Sequence, residues 1–183
     1  MKIISVNVGR PRLVEWNGHM ITTSIWKAPV EGRVRAGREN LAGDEQSDLT
    51  VHGGEDKAVY VYPSEHYAYW REQLPDMELP WGAFGENLTT EGLLEESVMI
   101  GDRLRAGNAE FVVTQPRLPC FKLGIRFGSE RMIARFLRSA RSGFYLAVSR
   151  EGDVVADGPI ETVSHDPGSL SIADAFAQQL VRH

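Results

Sequence analysis

The sequence contains one cysteine, Cys120, among its 183 residues. An internal disulfide is therefore excluded, and so is a zinc site built on two or more cysteines. No apolar run approaches the roughly 20 residues that a membrane-spanning helix needs. The opening segment, residues 1–9, is too short before its first break to be a signal peptide. We therefore expect a protein of the reducing cytoplasm with no membrane segment.

Several catalytic signatures are also missing. The sequence has no Gly-x-x-x-x-Gly-Lys-Ser/Thr phosphate loop, no Gly-x-Gly-x-x-Gly fingerprint and no Gly-x-Ser-x-Gly elbow. Its five histidines show no metal-binding spacing, and its formal net charge of -5 does not favour binding to nucleic acid. These absences argue against nucleotide hydrolysis, Rossmann-type redox chemistry, zinc hydrolysis and a nucleic-acid partner.

Glycine and proline recur about every ten residues, between short β-branched and aromatic stretches. This spacing predicts many short strands rather than a helical bundle. The length predicts one domain over residues 1–183, with its main motifs between about 23 and 163. We predict hairpin turns at residues 107–108 and 151–152. The predicted strands cover residues 2–8, 23–27, 58–62, 97–100, 103–106, 111–114, 144–149, 153–156 and 159–163.

Three segments have the periodicity of helices. Ser64 can cap a helix that runs to about Leu74, and Ser129 can cap a second helix with one apolar face. Ser171, with Asp174 three residues later, resembles a capping box for a last helix at about residues 171–181. Together these patterns predict a mainly β, barrel-like antiparallel fold with about three peripheral helices.

Cys120 ends the segment Gln115-Pro116-Arg117-Leu118-Pro119-Cys120, directly after a predicted strand. An isolated cysteine is most often a small buried apolar residue. Here the two prolines make the preceding loop rigid and non-helical. Arg117 and Lys122 also place positive charge on either side, which favours the thiolate, the form that binds metals. The sequence therefore predicts a reactive or metal-binding thiol on a basic loop.

Positive charge is concentrated around this thiol. Residues 117–141 contain seven basic residues and one acid, Glu130, although the chain as a whole is acidic. We therefore expect an anionic small ligand near Cys120. Part of the basic run, namely Arg131, Arg135 and Arg138, is expected to be a solvated helix face.

Two glycine-centred loops are candidate ligand-binding segments. In Val51-His52-Gly53-Gly54, the paired glycines would let backbone N–H groups converge on an anion, although a simple tight turn is the commoner explanation. His52 could donate a hydrogen bond to a phosphate or to a metal-bound oxygen. In Gly85-Glu86-Asn87-Leu88, Asn87 offers both a donor and an acceptor to the amide-like edge of a ligand.

Taken in order, these motifs resemble the MOSC family, named for the C-terminal domain of molybdenum cofactor sulfurases. The resemblance is to its stand-alone bacterial YiiM-type branch. It covers most of the chain, and the set of motifs is far more specific than any single motif. The matching stretches are residues 43–46, 51–54, 62–67, 84–88, 101–102 and 115–123.

The resemblance implies a β-rich, barrel-like fold with a positively charged cleft. It also implies that Cys120 ligates molybdenum in a pterin-dithiolene cofactor, the molybdenum cofactor. A thiolate is a soft ligand and suits this metal. The residues that the resemblance places in the cofactor-binding cleft are Lys27, His52, Gly53, Asn87, Gln115, Arg117 and Lys122.

Relatives of the YiiM type reduce N-hydroxylated compounds such as 6-N-hydroxylaminopurine. The resemblance therefore implies an N-hydroxylated small-molecule substrate, with Cys120 at the catalytic metal. A separate flavoprotein or iron–sulfur protein would return the electrons. His52 is our candidate for delivering protons. Larger YiiM-type proteins carry a further small helical domain beyond the position of Leu180.

Two other interpretations stay open at this point. In the first, the protein is a non-enzymatic carrier in which Cys120 holds persulfide sulfur or the cleft delivers the cofactor. Sulfurases place their MOSC domain beside a pyridoxal-phosphate desulfurase domain, which this sequence does not contain. In the second, Cys120 is a structural residue of a β-domain that binds some other anion.

Overall fold

The computed structural model describes residues 1–45 and 54–181, and within them the fold is mainly β. The strands are β1 (Lys2–Val8), β2 (Arg12–Trp16), β3 (His19–Thr23), β4 (Ala28–Pro29), β5 (Val34–Ala36), β6 (Val59–Pro63), β7 (Leu88–Glu91), β8 (Arg103–Ala106), β9 (Ala109–Pro116), β10 (Phe144–Arg150), β11 (Gly152–Val154) and β12 (Ile160–Ser164). Eight of them form one sheet in the order β12-β8-β9-β10-β6-β7-β1-β4. Its neighbours are antiparallel except for β6 and β7, which are parallel.

The large sheet curls back on itself without closing. β1 is seventh in the sheet and β12 is first. Even so, the Ile160 N–H donates to the Met1 carbonyl at 3.0 Å, and the Asp157 N–H donates to the Ile3 carbonyl at 2.8 Å. These bonds bring the start of β1 beside the segment that leads into β12. The predicted barrel-like, mostly antiparallel fold is confirmed, as a barrel that stays open.

Strand β6 separates two hydrophobic cores. Val59 and Val61 belong to an aliphatic core inside the curled sheet. Tyr60 and Tyr62 belong to an aromatic core with residues of the helices. All five residues of β6 are buried, because both of its faces are covered.

Four α-helices lie among the described residues: α1 (His66–Gln73), α2 (Phe121–Phe127), α3 (Arg131–Ser139) and α4 (Ile172–Val181). The prediction of three helices missed α2, which is only seven residues long and contains Gly124. That glycine lets α2 approach the next segment, because an added Cβ would lie 3.3 Å from the Ser129 carbonyl oxygen.

The predicted helix caps had different outcomes. The capping box of α4 is confirmed, since Ser171 Oγ contacts Asp174 Oδ2 at 2.7 Å and accepts from the Asp174 N–H at 3.0 Å. Ser64 and Ser129 do not cap their helices. The capping positions are Glu65 and Glu130, and neither makes a capping side-chain hydrogen bond.

Two predicted strands and one predicted hairpin were wrong. Residues 24–27 are irregular, and 97–100 contain only an isolated bridge between Met99 and Ser171. The turn at 151–152 does not join paired strands, because β11 pairs with the distant β5. The β2–β3 hairpin was missed. Ladder partners of short strands are set by the fold rather than by local sequence. No helix in residues 1–45 or 54–181 is long and apolar enough to cross a membrane.

Candidate functional site

A cleft is formed where six separate segments of the chain meet, among them the loop before β7. Three of its wall segments are loops that follow β3, β5 and β9, and strands β6 and β10 each contribute a tyrosine. The lining residues are Thr23, Ser24, Ile25, Lys27, Asp44, Glu45, Lys57, Tyr60, Gly85, Asn87, Arg117, Leu118, Cys120, Lys122 and Tyr145. A site made from such separated segments is positioned by the whole sheet rather than by one motif.

Cys120 lies between the end of β9 and the start of α2. Residues 117–120 are neither strand nor helix, so the predicted non-helical segment before Cys120 is confirmed. Cys120 is half-buried and has an extended backbone (φ -117°, ψ 174°). Its carbonyl oxygen accepts the Leu123 N–H at 2.9 Å. Cys120 is therefore held by its backbone at the N-terminal end of α2, where it lines the cleft.

Arg117 is a buried cation in the wall of this cleft. Only 4% of the residue is exposed. Its guanidinium lies over the rings of Tyr60, at 5.0 Å, and Phe136, at 5.2 Å. Tyr145 also lies close enough to influence the pKa of this guanidinium. One guanidinium nitrogen, Nη1, has no hydrogen-bond partner among residues 1–45 and 54–181.

The guanidinium stays charged in spite of its burial. Burial alone would lower the pKa of Arg117. The neighbouring Tyr60, Tyr145 and Cys120 outweigh it and raise that pKa above its ordinary value. Burial also raises the pKa of the Tyr145 phenol, while Arg117 acts in the opposite direction. Arg117 therefore supplies a fixed positive charge beside two neutral phenols.

Lys27, Asp44 and Asn87 form a second group of polar side chains. The Asp44 carboxylate accepts hydrogen bonds from the Lys27 ammonium and, at 2.8 Å, from Asn87 Nδ2. Asn87 Nδ2 also donates to the Asn7 carbonyl at 3.4 Å, and its Oδ1 accepts the Tyr60 N–H at 3.0 Å. Burial lowers the pKa of Lys27, and Asp44 opposes that shift. The polar atoms of Asn87 are thus committed to protein partners.

The loop before β7 is stabilised by hydrogen bonds to the carboxylate of Glu86, which is fully buried. Its carboxylate accepts hydrogen bonds from the Tyr67 hydroxyl, the Gly82 N–H at 2.8 Å and the Thr89 hydroxyl at 2.9 Å. Burial raises the pKa of Glu86. In the same loop Gly85 has φ +84°, and an added Cβ would lie 2.9 Å from Ile25 Cδ1 in the cleft wall. Only glycine fits there without displacing Ile25.

Comparison with known proteins identifies the family. The sequence model that matches this chain is that of the MOSC domain, and it matches residues 48–161. The chain belongs to the MOSC domain family.

Two curated relatives and one solved structure extend this result. The MOSC chain is 44% identical over 181 residues to protein YflK of Bacillus subtilis, covering 99% of the chain and 80% of YflK. It is 36% identical over 183 residues to a protein named Reductase from Gibberella moniliformis, covering 98% of the chain but only 32% of that protein. The crystal structure of YiiM from Geobacillus stearothermophilus superimposes with a TM-score of 0.79 at 36% identity, covering 100% of the chain and 84% of that structure. The resemblance to the YiiM-type branch is therefore confirmed.

The MOSC fold brings most of the predicted site residues together. Five of them line the cleft: Lys27, Asn87, Arg117, Cys120 and Lys122. Gln115 lies in β9 opposite Tyr145 and is not among the lining residues. His52 and Gly53 lie outside the described residues, so their roles stay predictions.

Sequence reasoning missed several residues of the MOSC cleft, including Ser24, Asp44, Tyr60 and Tyr145. Asp44 was part of a matching motif, but nothing local indicated that its partner is Lys27. Tyr60 and Tyr145 are directly opposed on β6 and β10, with ring centroids 5.4 Å apart. The sequence indicates which side chains of a strand share a face, because they alternate along the strand. It does not indicate which strands pair with each other.

Proposed function

We propose that this MOSC protein holds a molybdenum cofactor at Cys120 and reduces N-hydroxylated small molecules. The observation that carries the proposal is the juxtaposition in one cleft of the half-buried Cys120 with the buried, charged Arg117, whose Nη1 has no hydrogen-bond partner in the described part of the chain. Buried polar groups in proteins nearly always have a partner. A buried cation that still has an unused hydrogen-bond donor favours an anionic ligand. The thiol in the same cleft favours a ligand that also binds a thiolate.

The donor set of the cleft fits that cofactor. Among residues 1–45 and 54–181, no group of three or more His, Cys, Asp or Glu side chains could hold a metal ion. Cys120 would therefore be a single protein ligand to a metal whose other ligands arrive with it, as in a pterin-dithiolene. Arg117 and Lys122 would hold its anionic groups. When bound, the cofactor supplies the two-electron redox chemistry.

The residues of the chain would bind and orient the substrate. Tyr145, which is partly exposed in the cleft wall, offers aromatic surface to a planar compound such as an N-hydroxylated purine. Reduction of an N–OH group to N–H takes up two electrons and two protons and releases water. We assign proton delivery to His52, and electron supply to a separate flavoprotein or iron–sulfur protein. The similarity to a protein named Reductase supports an oxidoreductase role.

Metal analysis of protein made in a cofactor-producing host tests the proposal. We expect near-stoichiometric molybdenum in the wild type and its loss in Cys120→Ser. Met20→Ser, which removes the sulfur of a residue that is 59% exposed and lies outside the cleft, is the control and should keep the metal. Loaded wild-type protein should then reduce 6-N-hydroxylaminopurine with a chemical electron donor.

Two results would contradict this function. If Cys120→Ser keeps its molybdenum, Cys120 is not the metal ligand. If wild-type protein carries no molybdenum but releases sulfur from Cys120 on treatment with a thiol, the carrier function replaces the reductase.

A further inference from the structure

Four buried side-chain atoms have no hydrogen-bond partner in the part of the chain that the structure describes. They are Ser24 Oγ, Thr90 Oγ1, Arg117 Nη1 and Arg126 Nε. Ser24 and Arg117 line the cleft, whereas Thr90 and Arg126 do not. Two residues that each carry a buried side-chain atom without a partner among the described residues therefore line the same cleft.

Both cleft residues are held in place by the surrounding fold. The Arg117 guanidinium packs on the rings of Tyr60 and Phe136. The backbone N–H of Arg117 donates to the Gly143 carbonyl at 3.3 Å. Ser24 is 8% exposed and lies in the irregular segment after β3. The backbone of that segment packs against Gly9, where an added Cβ would be 3.1 Å from the Ser24 carbonyl oxygen. The segments that carry Ser24 and Arg117 are therefore positioned before a ligand binds, which lowers the ordering cost of binding.

Other polar groups of the cleft are already used within the protein. Lys27 is paired with Asp44, and both hydrogens of the Asn87 amide have protein acceptors. The positive charge of Lys27 is thus balanced by a carboxylate, while that of Arg117 faces neutral phenols. The unbalanced charge in this wall of the cleft lies at Arg117.

We infer that Ser24 Oγ and Arg117 Nη1 form an oxyanion subsite, which binds one phosphate- or carboxylate-type group by two donated hydrogen bonds. The guanidinium supplies the charge, and the hydroxyl fixes the position of a second oxygen. The subsite rests on the proposed function only in the identity of its ligand, which is the anionic end of the cofactor or of the substrate.

Calorimetric titration of cofactor-free protein with inorganic phosphate tests the subsite. We expect Arg117→Gln to weaken phosphate binding about tenfold or more, and Ser24→Ala about three- to tenfold. Thr90→Val and Arg126→Gln remove the matching unpartnered atoms outside the cleft and should leave the affinity unchanged. Wild-type protein that does not bind phosphate at millimolar concentration, or variants of all four residues with equal affinity, would overturn the inference.

Thermal unfolding gives a second readout that separates binding from folding. Without phosphate, Ser24→Ala and Thr90→Val should melt at or above the wild-type temperature, because each removes a buried hydroxyl that has no partner. With phosphate, wild type and Thr90→Val should be stabilised, and Ser24→Ala should gain clearly less. A Ser24→Ala protein that melts lower in both conditions and keeps its phosphate affinity would show a purely structural serine.

The origin of the anion is distinguished by comparing cofactor-free with loaded protein. If the subsite takes the phosphate of the cofactor, loaded protein will no longer bind inorganic phosphate. If it takes an anionic group of the substrate, loaded protein will still bind it. Either result supports the subsite. The molybdenum content of Cys120→Ser is measured independently, so a failure of the proposed function would be recognised separately.

Discussion

The Asp44 carboxylate binds the Lys27 ammonium inside the cleft, with only 1% of the Asp44 side chain and 9% of the Lys27 side chain exposed. The same carboxylate accepts the Gly9 N–H and Asn87 Nδ2, each at 2.8 Å. One acid therefore ties together the end of β1, the segment before β4 and the loop before β7. Because the segment before β4 and the loop before β7 are walls of the cleft, Asp44 contributes to its shape as well as its charge.

Replacing Asp44 by asparagine should be strongly destabilising. The substitution leaves the Lys27 ammonium buried without its counter-charge, which typically costs about 3–5 kcal/mol. The double variant Asp44→Asn, Lys27→Met should recover much of this loss, because it removes the stranded charge. Urea denaturation at pH 7 gives both values. A single variant as stable as the wild type would show that the pair is not required by the fold.

Glu86 should make stability depend on pH. Its folded pKa is raised by burial, so the folded state binds more protons than the unfolded state between the two pKa values. This contribution is fully present below the unfolded pKa, about 4.3, and is lost as pH rises through the folded pKa. Glu86→Gln lacks the titration.

The measurement is the free energy of unfolding of both proteins from pH 4 to pH 8. The advantage of the wild type over Glu86→Gln should shrink as pH rises across this range. An advantage that grows with pH would mean that the pKa is lowered, contrary to its burial.

Gly85→Ala should distort the cleft, and Gly18→Ala is its matched control. Both glycines have positive φ, +84° and +78°, so alanine carries a backbone penalty of about 1–2 kcal/mol at either site. At Gly18 a Cβ meets nothing within 4 Å, whereas at Gly85 it meets Ile25. We expect Gly85→Ala to lose more stability than Gly18→Ala and, unlike it, to weaken phosphate binding. Equal losses of stability in the two variants would mean that the Ile25 side chain can move away from the added methyl group at no cost.

Some of the fold was predictable from local patterns. The predicted bounds of β1 and β8 match the structure, because a glycine, Gly9 or Gly107, directly follows each strand and marks its end in the sequence. Helix α4 was also predictable, since Ser171 and Asp174 form its capping box. Helix α2 was not predictable. It has only seven residues, it follows two prolines and it contains Gly124, so its apolar residues show too little helical periodicity.

The candidate site was predictable only in part. Cys120, Arg117 and Lys122 are close in sequence, and their rigid loop could be identified from its prolines. The contact of Asp44 with Lys27, and that of Arg117 with Tyr60, join residues that are distant in sequence. Such contacts depend on strand pairing and loop closure, which a local pattern does not encode.

The two-sided burial of β6 has a consequence for how the protein folds. Side chains of a strand alternate between its faces, so a slip of one residue would exchange valines and tyrosines between the aliphatic and the aromatic core. The same slip would remove Tyr60 from beneath the guanidinium of Arg117. Chains that pair β6 in the wrong register would therefore be unstable and also unable to bind the anion, so ligand binding would select correctly folded molecules.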